Sequence, residues 1–284
     1  MTGYFSIPSP FRTEWGTLFL LEPPTADADQ LRQQLLDESY DKPFVVDDGS
    51  VRYLYFNVRL MQSAMRIKAP HDLELRYTQQ MMACLLFCPR PRRALLIGLG
   101  GGSLAKFCYR HLPNTQVTAI EIDPHIIAWR HAFLLPADDE RLQIIQGDGR
   151  DYLAQTSKGT DLLLVDAFDG CGLAPGFSDT AFLETAHTKL SDKGILVINL
   201  AGEREIYADL ICAAQTVFDQ QVIILSVPED GNHILFAFRD AAYEPRWRGL
   251  HNLARELRAT HGLDFPGFAQ KIEQAAKRGL PSFF

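Results

Sequence analysis

The sequence has no run of apolar residues near the roughly 20 that a membrane-spanning helix needs. It also lacks the basic start and short apolar core of a signal peptide, so the cytoplasm is the expected location. Basic residues are in the minority, with 28 Lys and Arg against 35 Asp and Glu and a formal net charge of -7. Because nucleic-acid binding needs a basic face, neither nucleic acid nor a membrane is an expected partner.

Cysteine is scarce as well, with five residues in 284. The number is odd and the spacing shows no metal-ligand pairs, which argues against a disulfide framework and a structural zinc site. The eight histidines show no ligand spacing with cysteines or acids either. We therefore expect no bound metal.

A glycine-rich turn is the most informative feature that the sequence does have. The apolar run 94–97 is followed by Gly98, Gly100 and Gly101, and Glu121 closes a second apolar run about 20 residues later. Glycines let the backbone turn tightly and approach a ligand, and an acid at that distance suits ribose hydroxyls. This pattern predicts a nucleoside-binding β-α-β unit, with these three glycines and Glu121 as candidate binding residues.

Two further apolar runs end in polar residues. Asp148 and Gly149 follow the third run, and Asp166 and Asp169 follow the fourth. Open α/β sheets bind their ligands where the carboxyl ends of the strands meet. These four residues are therefore candidate site residues, although Asp148 also suits the N-cap of the next helix.

The remainder of the chain predicts an α/β fold in two parts. Residues 1–72 read as a small β-rich region, with strands at 17–21, 44–46 and 51–56 and a helix at 27–38. Residues 73–284 read as a Rossmann-like domain that starts with a helix at 72–86 and includes another at 124–135.

Seven strands in the second part alternate with helices, which favours a mostly parallel sheet covered on both faces. The turn 228–232 is too short for a crossover helix, so the last two strands must form an antiparallel hairpin. This arrangement is that of the methyltransferase-like variant of the Rossmann fold. A helical pair at 247–277 is expected to end the chain.

From Tyr77 to Arg239 the sequence resembles the spermidine synthase family of aminopropyltransferases. The resemblance lies in the glycine turn, in E-I-D at 121–123, in G-D-G at 147–149 and in D-x-x-D at 166–169. It implies an enzyme that transfers an aminopropyl group from decarboxylated S-adenosylmethionine to a polyamine acceptor and releases methylthioadenosine. No prosthetic group is implied, and the family's usual assembly implies a homo-oligomer.

The resemblance also assigns roles. Glu121 would bind the ribose hydroxyls, and Asp148 and Gly149 would lie beside the adenine. Asp166 would be the catalytic acid that engages the attacking amine. The substrate amine would be held by the residues that match the family's second acid and its helix tyrosine, Asp169 and Tyr77.

Three positions depart from the family pattern. Gly101 stands where the family has an acid that holds the terminal amine of the donor, and Thr78 and Gln79 replace a Gln or His followed by Glu. The nucleoside end of the site is kept, whereas the amine end has lost charge. Two alternatives therefore stay open beside aminopropyl transfer: methylation of a small molecule by ordinary S-adenosylmethionine, and a non-catalytic nucleoside-binding protein.

Overall fold

The computed structural model describes residues 3–11, 16–157, 159–169, 172–202 and 204–278. Its N-terminal part is an antiparallel sheet whose strands pair in chain order and whose buried face is covered by one helix, α1 (Ala28–Leu36). Asp27 caps this helix by accepting the backbone N–H groups of Asp29 and Gln30. The strands are β1 Phe5–Pro8, β2 Thr17–Leu20, β3 Phe44–Asp47, β4 Val51–Asn57 and β5 Leu60–Arg66.

The second sheet has seven strands in the order β13-β14-β12-β9-β6-β7-β8. Strands β12, β9, β6, β7 and β8 are parallel, and β14 is antiparallel to both β12 and β13. The strands from β6 onward, including a two-stranded hairpin of β10 and β11, are β6 Arg93–Ile97, β7 Gln116–Glu121, β8 Leu142–Gln146, β9 Thr160–Val165, β10 Phe168–Asp169, β11 Gly172–Leu173, β12 Leu190–Ala201, β13 Val222–Val227 and β14 Asn232–Phe238.

Helices cover both faces of this sheet, which explains why its central strands are continuous apolar runs. Residues 94–97 of β6 are all buried, with alternate side chains entering one core or the other. The helices are α2 Arg76–Met81, α3 Ser103–His111, α4 Pro124–Ala128, α5 Gly149–Gln155, α6 Thr180–Lys189, α7 Ala208–Val217, α8 Trp247–His261 and α9 Phe265–Arg278. The predicted α/β class, parallel sheet, terminal hairpin and helical pair are confirmed.

Two predicted helices are shorter than expected. The helix expected at 72–86 starts at Arg76 and changes to a 3-10 helix over Met82–Leu86. The helix expected at 124–135 ends as α4 at Ala128. The chain continues as a 3-10 turn over Trp129–His131, and the left-handed φ of 54° at Leu134 cannot belong to a helix; the carbonyl of Ala132 accepts a hydrogen bond from Arg52 of β4.

Residues around this helix end join the two sheets. Trp129 is fully buried, stacks on Tyr4 with ring centroids 4.4 Å apart, and donates its Nε1–H to the carbonyl of Pro43 at 3.1 Å. The boundary between residues 72 and 73 stays a prediction. In the described part of the chain, no helix is both long and apolar enough to cross a bilayer.

A buried lysine lies at the same junction. Lys106 of α3 is 1% exposed, and its Nζ donates to the carbonyl of Phe133 at 2.8 Å and to the Met65 sulfur at 3.0 Å. Neither partner carries charge, so burial lowers the pKa of Lys106 from 10.5 to about 7.

Replacing Lys106 with Met is expected to change how stability depends on pH. Between about pH 7 and 10.5 the unfolded lysine holds a proton that the folded one has lost. The wild-type free energy of unfolding therefore rises with pH relative to Lys106→Met, by up to about 1.4 kcal/mol per pH unit. Urea unfolding of both proteins across this range measures the difference, and parallel curves would contradict a depressed lysine pKa.

Candidate active site

A cavity of about 320 Å³ lies where the carboxyl ends of β6, β7, β8 and β9 meet. The N-terminal sheet closes it with Phe56 of β4 and with Gln62 and Ser63 of β5, and α2 contributes Tyr77. The predicted site residues that line it are Tyr77, Gly98, Gly100, Glu121, Asp148, Gly149 and Asp166.

The glycine turn fits closely around its neighbours. Gly98 has a φ of 92°, and a Cβ added there would lie 2.1 Å from the carbonyl oxygen of Asp166. Gly100, with a φ of 52°, also lines the cavity. Gly101 is not among the lining residues, and a Cβ at this position would lie 2.7 Å from the Ser63 hydroxyl and 2.8 Å from the Phe133 ring. A side chain at position 101 would therefore displace Ser63 or Phe133.

Glu121 fixes this turn from the end of β7. Its Oε2 accepts the N–H of Leu99 at 2.9 Å, and its Oε1 accepts the N–H of Asp123 at 3.0 Å. Burial raises the pKa of the Glu121 carboxyl, and these two backbone donors oppose the rise. The backbone N–H of Ile122 opposes the rise as well. The carboxylate still has acceptor capacity beyond these donors, so Glu121 can hold the turn and also accept a ligand hydroxyl.

Asp148 is both the cap of a helix and part of the cavity wall. It accepts the N–H groups of Arg150 and Asp151 at the start of α5, and the Arg150 guanidinium donates to its Oδ2 at 3.1 Å. The hydrogen bond from the Arg150 side chain is the main cause that lowers the pKa of Asp148. Gly149 lies against Ile97, and a Cβ there would lie 2.4 Å from the Ile97 side chain.

Asp166 follows β9 directly and meets Tyr77 across the cavity. The Tyr77 hydroxyl donates to Asp166 Oδ2 at 3.2 Å, and Asn199 donates its Nδ2–H to Oδ1 at 2.8 Å. Burial raises the pKa of Asp166, whereas these two hydrogen bonds lower it. Burial and the neighbouring Asp166 charge raise the pKa of Tyr77 well above its ordinary value, so this hydroxyl acts as a neutral donor.

Sequence reasoning missed three residues that support this pair. Asn199 ends an apolar run on β12 as Asp166 does on β9, and that position was the available signal. Asn232 donates to Asn199 Oδ1 at 2.8 Å, and Asp230 Oδ2 accepts the backbone N–H of Tyr77 at 2.7 Å. Asp230 lies in the turn between β13 and β14, and Asn232 is the first residue of β14. Nothing in the sequence distinguished either from ordinary turn residues.

Of the other described residues that the sequence analysis named, only Thr78 is found in the cavity wall. Thr78 lines the cavity, but its hydroxyl donates to the Leu75 carbonyl at 2.7 Å. Gln79 donates its side-chain amide to the Leu73 carbonyl at 2.7 Å and is not among the lining residues. The backbone of Asp169 lies in β10, and its side chain lies outside the described part of the structure.

Among the described residues, no three His, Cys, Asp or Glu side chains are grouped to hold a metal ion.

The fold and cavity define a methyltransferase-like Rossmann protein with its site at the strand ends. The family model described as "Spermine/spermidine synthase domain" matches residues 74–229. A curated relative, the polyamine aminopropyltransferase of Chromobacterium violaceum, is 35% identical over 231 residues, which are 81% of this chain and 88% of that protein. The chain therefore belongs to the spermine/spermidine synthase family.

Solved structures agree on the fold. A probable spermidine synthase from Corynebacterium glutamicum matches with a TM-score of 0.65 at 18% identity, covering 81% of this chain and 91% of the other. Human Methyltransferase-like protein 13, solved in complex with SAH, matches with a TM-score of 0.58 at 21% identity, covering 74% and 97%. At these identities the likeness concerns the fold.

Proposed function

We propose that this protein is an aminopropyltransferase that moves an aminopropyl group from decarboxylated S-adenosylmethionine to a small polyamine acceptor. Methylthioadenosine is the second product. The observation that carries the proposal is the pair Asp166 and Tyr77, held in the same cavity as the glycine turn and Glu121. Family membership over residues 74–229 supports the same reaction.

The chemistry explains why a buried carboxylate belongs there. A protonated acceptor amine first gives a proton to Asp166, whose raised pKa makes it a better base. The neutral nitrogen then attacks the carbon beside the sulfonium, the carbon–sulfur bond breaks, and its electron pair stays on sulfur. Positive charge thus moves from sulfur to nitrogen, and the carbonyl oxygen of the protonated Asp166 can accept a hydrogen bond from the ammonium nitrogen that forms.

The nucleoside end follows from the same geometry. Glu121, Asp148 and Gly149 line the cavity; Glu121 is proposed to accept the ribose hydroxyls, and Asp148 and Gly149 are proposed to border the base. Ser63 and Phe133 fill the space that a side chain at Gly101 would take, so no acid at that position binds the donor's terminal amine. Neutral groups near the turn are proposed to bind this amine instead. Ser63 also lies 3.5 Å from the Ser103 hydroxyl.

A donor and acceptor panel tests the proposal. The protein is incubated with decarboxylated or ordinary S-adenosylmethionine and a series of di- and polyamines, and the products are followed by mass spectrometry. Amine-dependent methylthioadenosine from the decarboxylated donor is the expected result. S-adenosylhomocysteine from the ordinary donor would instead identify a methyltransferase, and donor binding without either product a nucleoside-binding protein.

Replacing Asp148 with Ala separates its two roles when compared with Asp27→Ala. Each variant removes an N-cap carboxylate and is expected to cost about 1 kcal/mol of stability, but Asp27 caps α1 away from the cavity. Only Asp148→Ala is expected to weaken methylthioadenosine binding, by about tenfold, through the lost hydrogen bond to a charged group. Calorimetric titration measures this, and equal affinities would leave Asp148 as a cap alone.

A cytoplasmic location and assembly into a homo-oligomer stay predictions, the first from the sequence and the second from the family resemblance. The side chain of Asp169 is proposed to assist Asp166 at the amine end on the same ground. Size-exclusion chromatography with light scattering tests the assembly.

A further inference from the structure

Two buried amides stand behind the Asp166 carboxylate. Strand β12 runs parallel to β9 with Ile198 beside Val165, so the next residues along, Asn199 and Asp166, are neighbours. Asn199 is 2% exposed and Asn232 is 6% exposed. Burying polar groups is costly unless they are hydrogen-bonded; here Asn232 donates to Asn199, and Asn199 donates to Asp166.

The direction of these bonds is fixed by chemistry. An asparagine side chain can present either its NH₂ group or its carbonyl oxygen to a neighbour. An ionised carboxylate only accepts hydrogen bonds, so the NH₂ group of Asn199 must face Asp166, and the carbonyl oxygen of Asn199 then accepts from Asn232. Without Asn232, the buried carbonyl oxygen of Asn199 would lose its hydrogen-bond partner. Asn232 therefore supports the orientation in which Asn199 donates.

The hydrogen bonds close a ring through the turn between β13 and β14. Asp230 of this turn accepts the backbone N–H of Tyr77 at the start of α2, whose N-cap Leu75 provides no side-chain cap. The Tyr77 hydroxyl donates to Asp166, Asp166 accepts from Asn199, and Asn199 accepts from Asn232. This short turn thus bonds to Tyr77 directly and supports Asp166 through Asn199.

We propose that Asn199 and Asn232 are positioning residues that hold the Asp166 carboxylate facing the acceptor amine, with the β13–β14 turn as their common support. This inference rests on the proposed function, because it assumes that Asp166 receives the proton. Both amides act through Asp166: Asn199, supported by Asn232, occupies one lone pair of Oδ1, and Tyr77 occupies one of Oδ2. The lone pairs that remain are available to the amine.

The described titratable groups that influence this carboxylate are Tyr77 from α2 and Glu121 from the end of β7, with Asp230 acting on Tyr77 from the turn. The charge of Glu121 raises the pKa of Asp166, as burial does, and the hydrogen bonds from Asn199 and Tyr77 oppose both. Removing the Asn199 donor leaves those effects less opposed. The carboxyl should then bind its proton more tightly.

Carboxyl titration by NMR of the full chain tests the inference without donor or amine. Protein labelled with ¹³C-aspartate is titrated, and the Asp166 resonance is assigned by its loss in Asp166→Asn. In Asn199→Leu, which is close in shape but has no donor, the pKa of Asp166 is expected to rise by about one unit. Asn232→Leu is expected to raise it in the same direction by less.

Thr115→Val is the matched control, since Thr115 is 2% exposed and loses a buried hydrogen bond to the Pro91 carbonyl away from the cavity. An unchanged Asp166 titration in a folded Asn199→Leu would overturn the proposal, as would an equal shift in Thr115→Val. If Asn199→Leu does not fold, Asn232→Ser decides by the same criterion.

The kinetic counterpart is the acid limb of kcat/KM for amine-dependent methylthioadenosine formation, which is expected to move to higher pH by the same amount as the NMR titration. Wild-type protein that transfers no aminopropyl group would reject the proposed function. The NMR result would still decide whether the two amides position Asp166, so the two failures are distinguishable.

Discussion

Asp166→Asn is expected to lower kcat for amine-dependent methylthioadenosine formation by about 10²–10⁴-fold. The amide cannot take the proton of the acceptor amine, so the amine stays protonated and has no lone pair with which to attack. Methylthioadenosine affinity is expected to change little, because the nucleoside is assigned to Glu121 and to Asp148 across the cavity. Steady-state kinetics and calorimetric titration of the same preparation measure both quantities.

Asp161→Asn is the control for this substitution. Asp161 lies near the opposite end of β9, where its carboxylate accepts the N–H groups of Arg92 and Arg93 and the Ser191 hydroxyl. The same change of carboxylate to amide on the same strand should leave turnover intact while it weakens those bonds. A wild-type rate in Asp166→Asn would remove Asp166 from its role as base.

Gly98→Ala is expected to lower the free energy of unfolding by about 3 kcal/mol and to abolish donor binding. The added Cβ would lie 2.1 Å from the Asp166 carbonyl oxygen and 2.8 Å from its carbonyl carbon, both in the backbone of the neighbouring strand end. The φ of 92° is itself unfavourable for alanine. Relieving the clash moves the turn and takes the Leu99 N–H away from Glu121.

Gly147→Ala provides the comparison. Gly147 lines the same cavity, yet no heavy atom lies within 4 Å of a Cβ built at this position. Its cost in stability is expected to stay within about 0.5 kcal/mol. Urea unfolding of the two variants measures the difference, and equal midpoints would show that the turn at Gly98 is not under the steric constraint described.

The parallel sheet could be predicted because its strands are buried on both faces. Runs such as 94–97 and 162–165 are apolar throughout, and each is followed by a glycine or an acid. The antiparallel hairpin followed from loop length alone, since a five-residue connection leaves no space for a crossover helix. These signals are local, and local signals are what a single sequence contains.

Two strands of the N-terminal sheet could not be predicted for the same reason. β5 is built from Leu60–Arg66, a segment without β-branched or aromatic residues, and it becomes a strand by pairing with β4. β1 ends at Pro8, with a second proline two residues later, which reads as a loop. Tertiary pairing decides both.

The candidate site likewise contains residues that local sequence signals identify and residues that only tertiary contacts bring into place. Acids at strand ends, such as Glu121 and Asp166, were found because a carboxylate that follows an apolar run requires an explanation. Asn199 ends a run equally apolar but carries no charge, and its partner Asn232 is distant in sequence. Ser63 reaches the glycine turn only because the two sheets pack together.

One wall of the cavity is formed by the N-terminal sheet, through Phe56, Gln62 and Ser63. A ligand that contacts both walls binds only the docked arrangement of the two sheets and stabilises it by about 2.7 kcal/mol at one hundred times its Kd. The donor then couples the unfolding of one sheet to that of the other. The free energy of unfolding of the two parts as one unit therefore rises with the concentration of free donor.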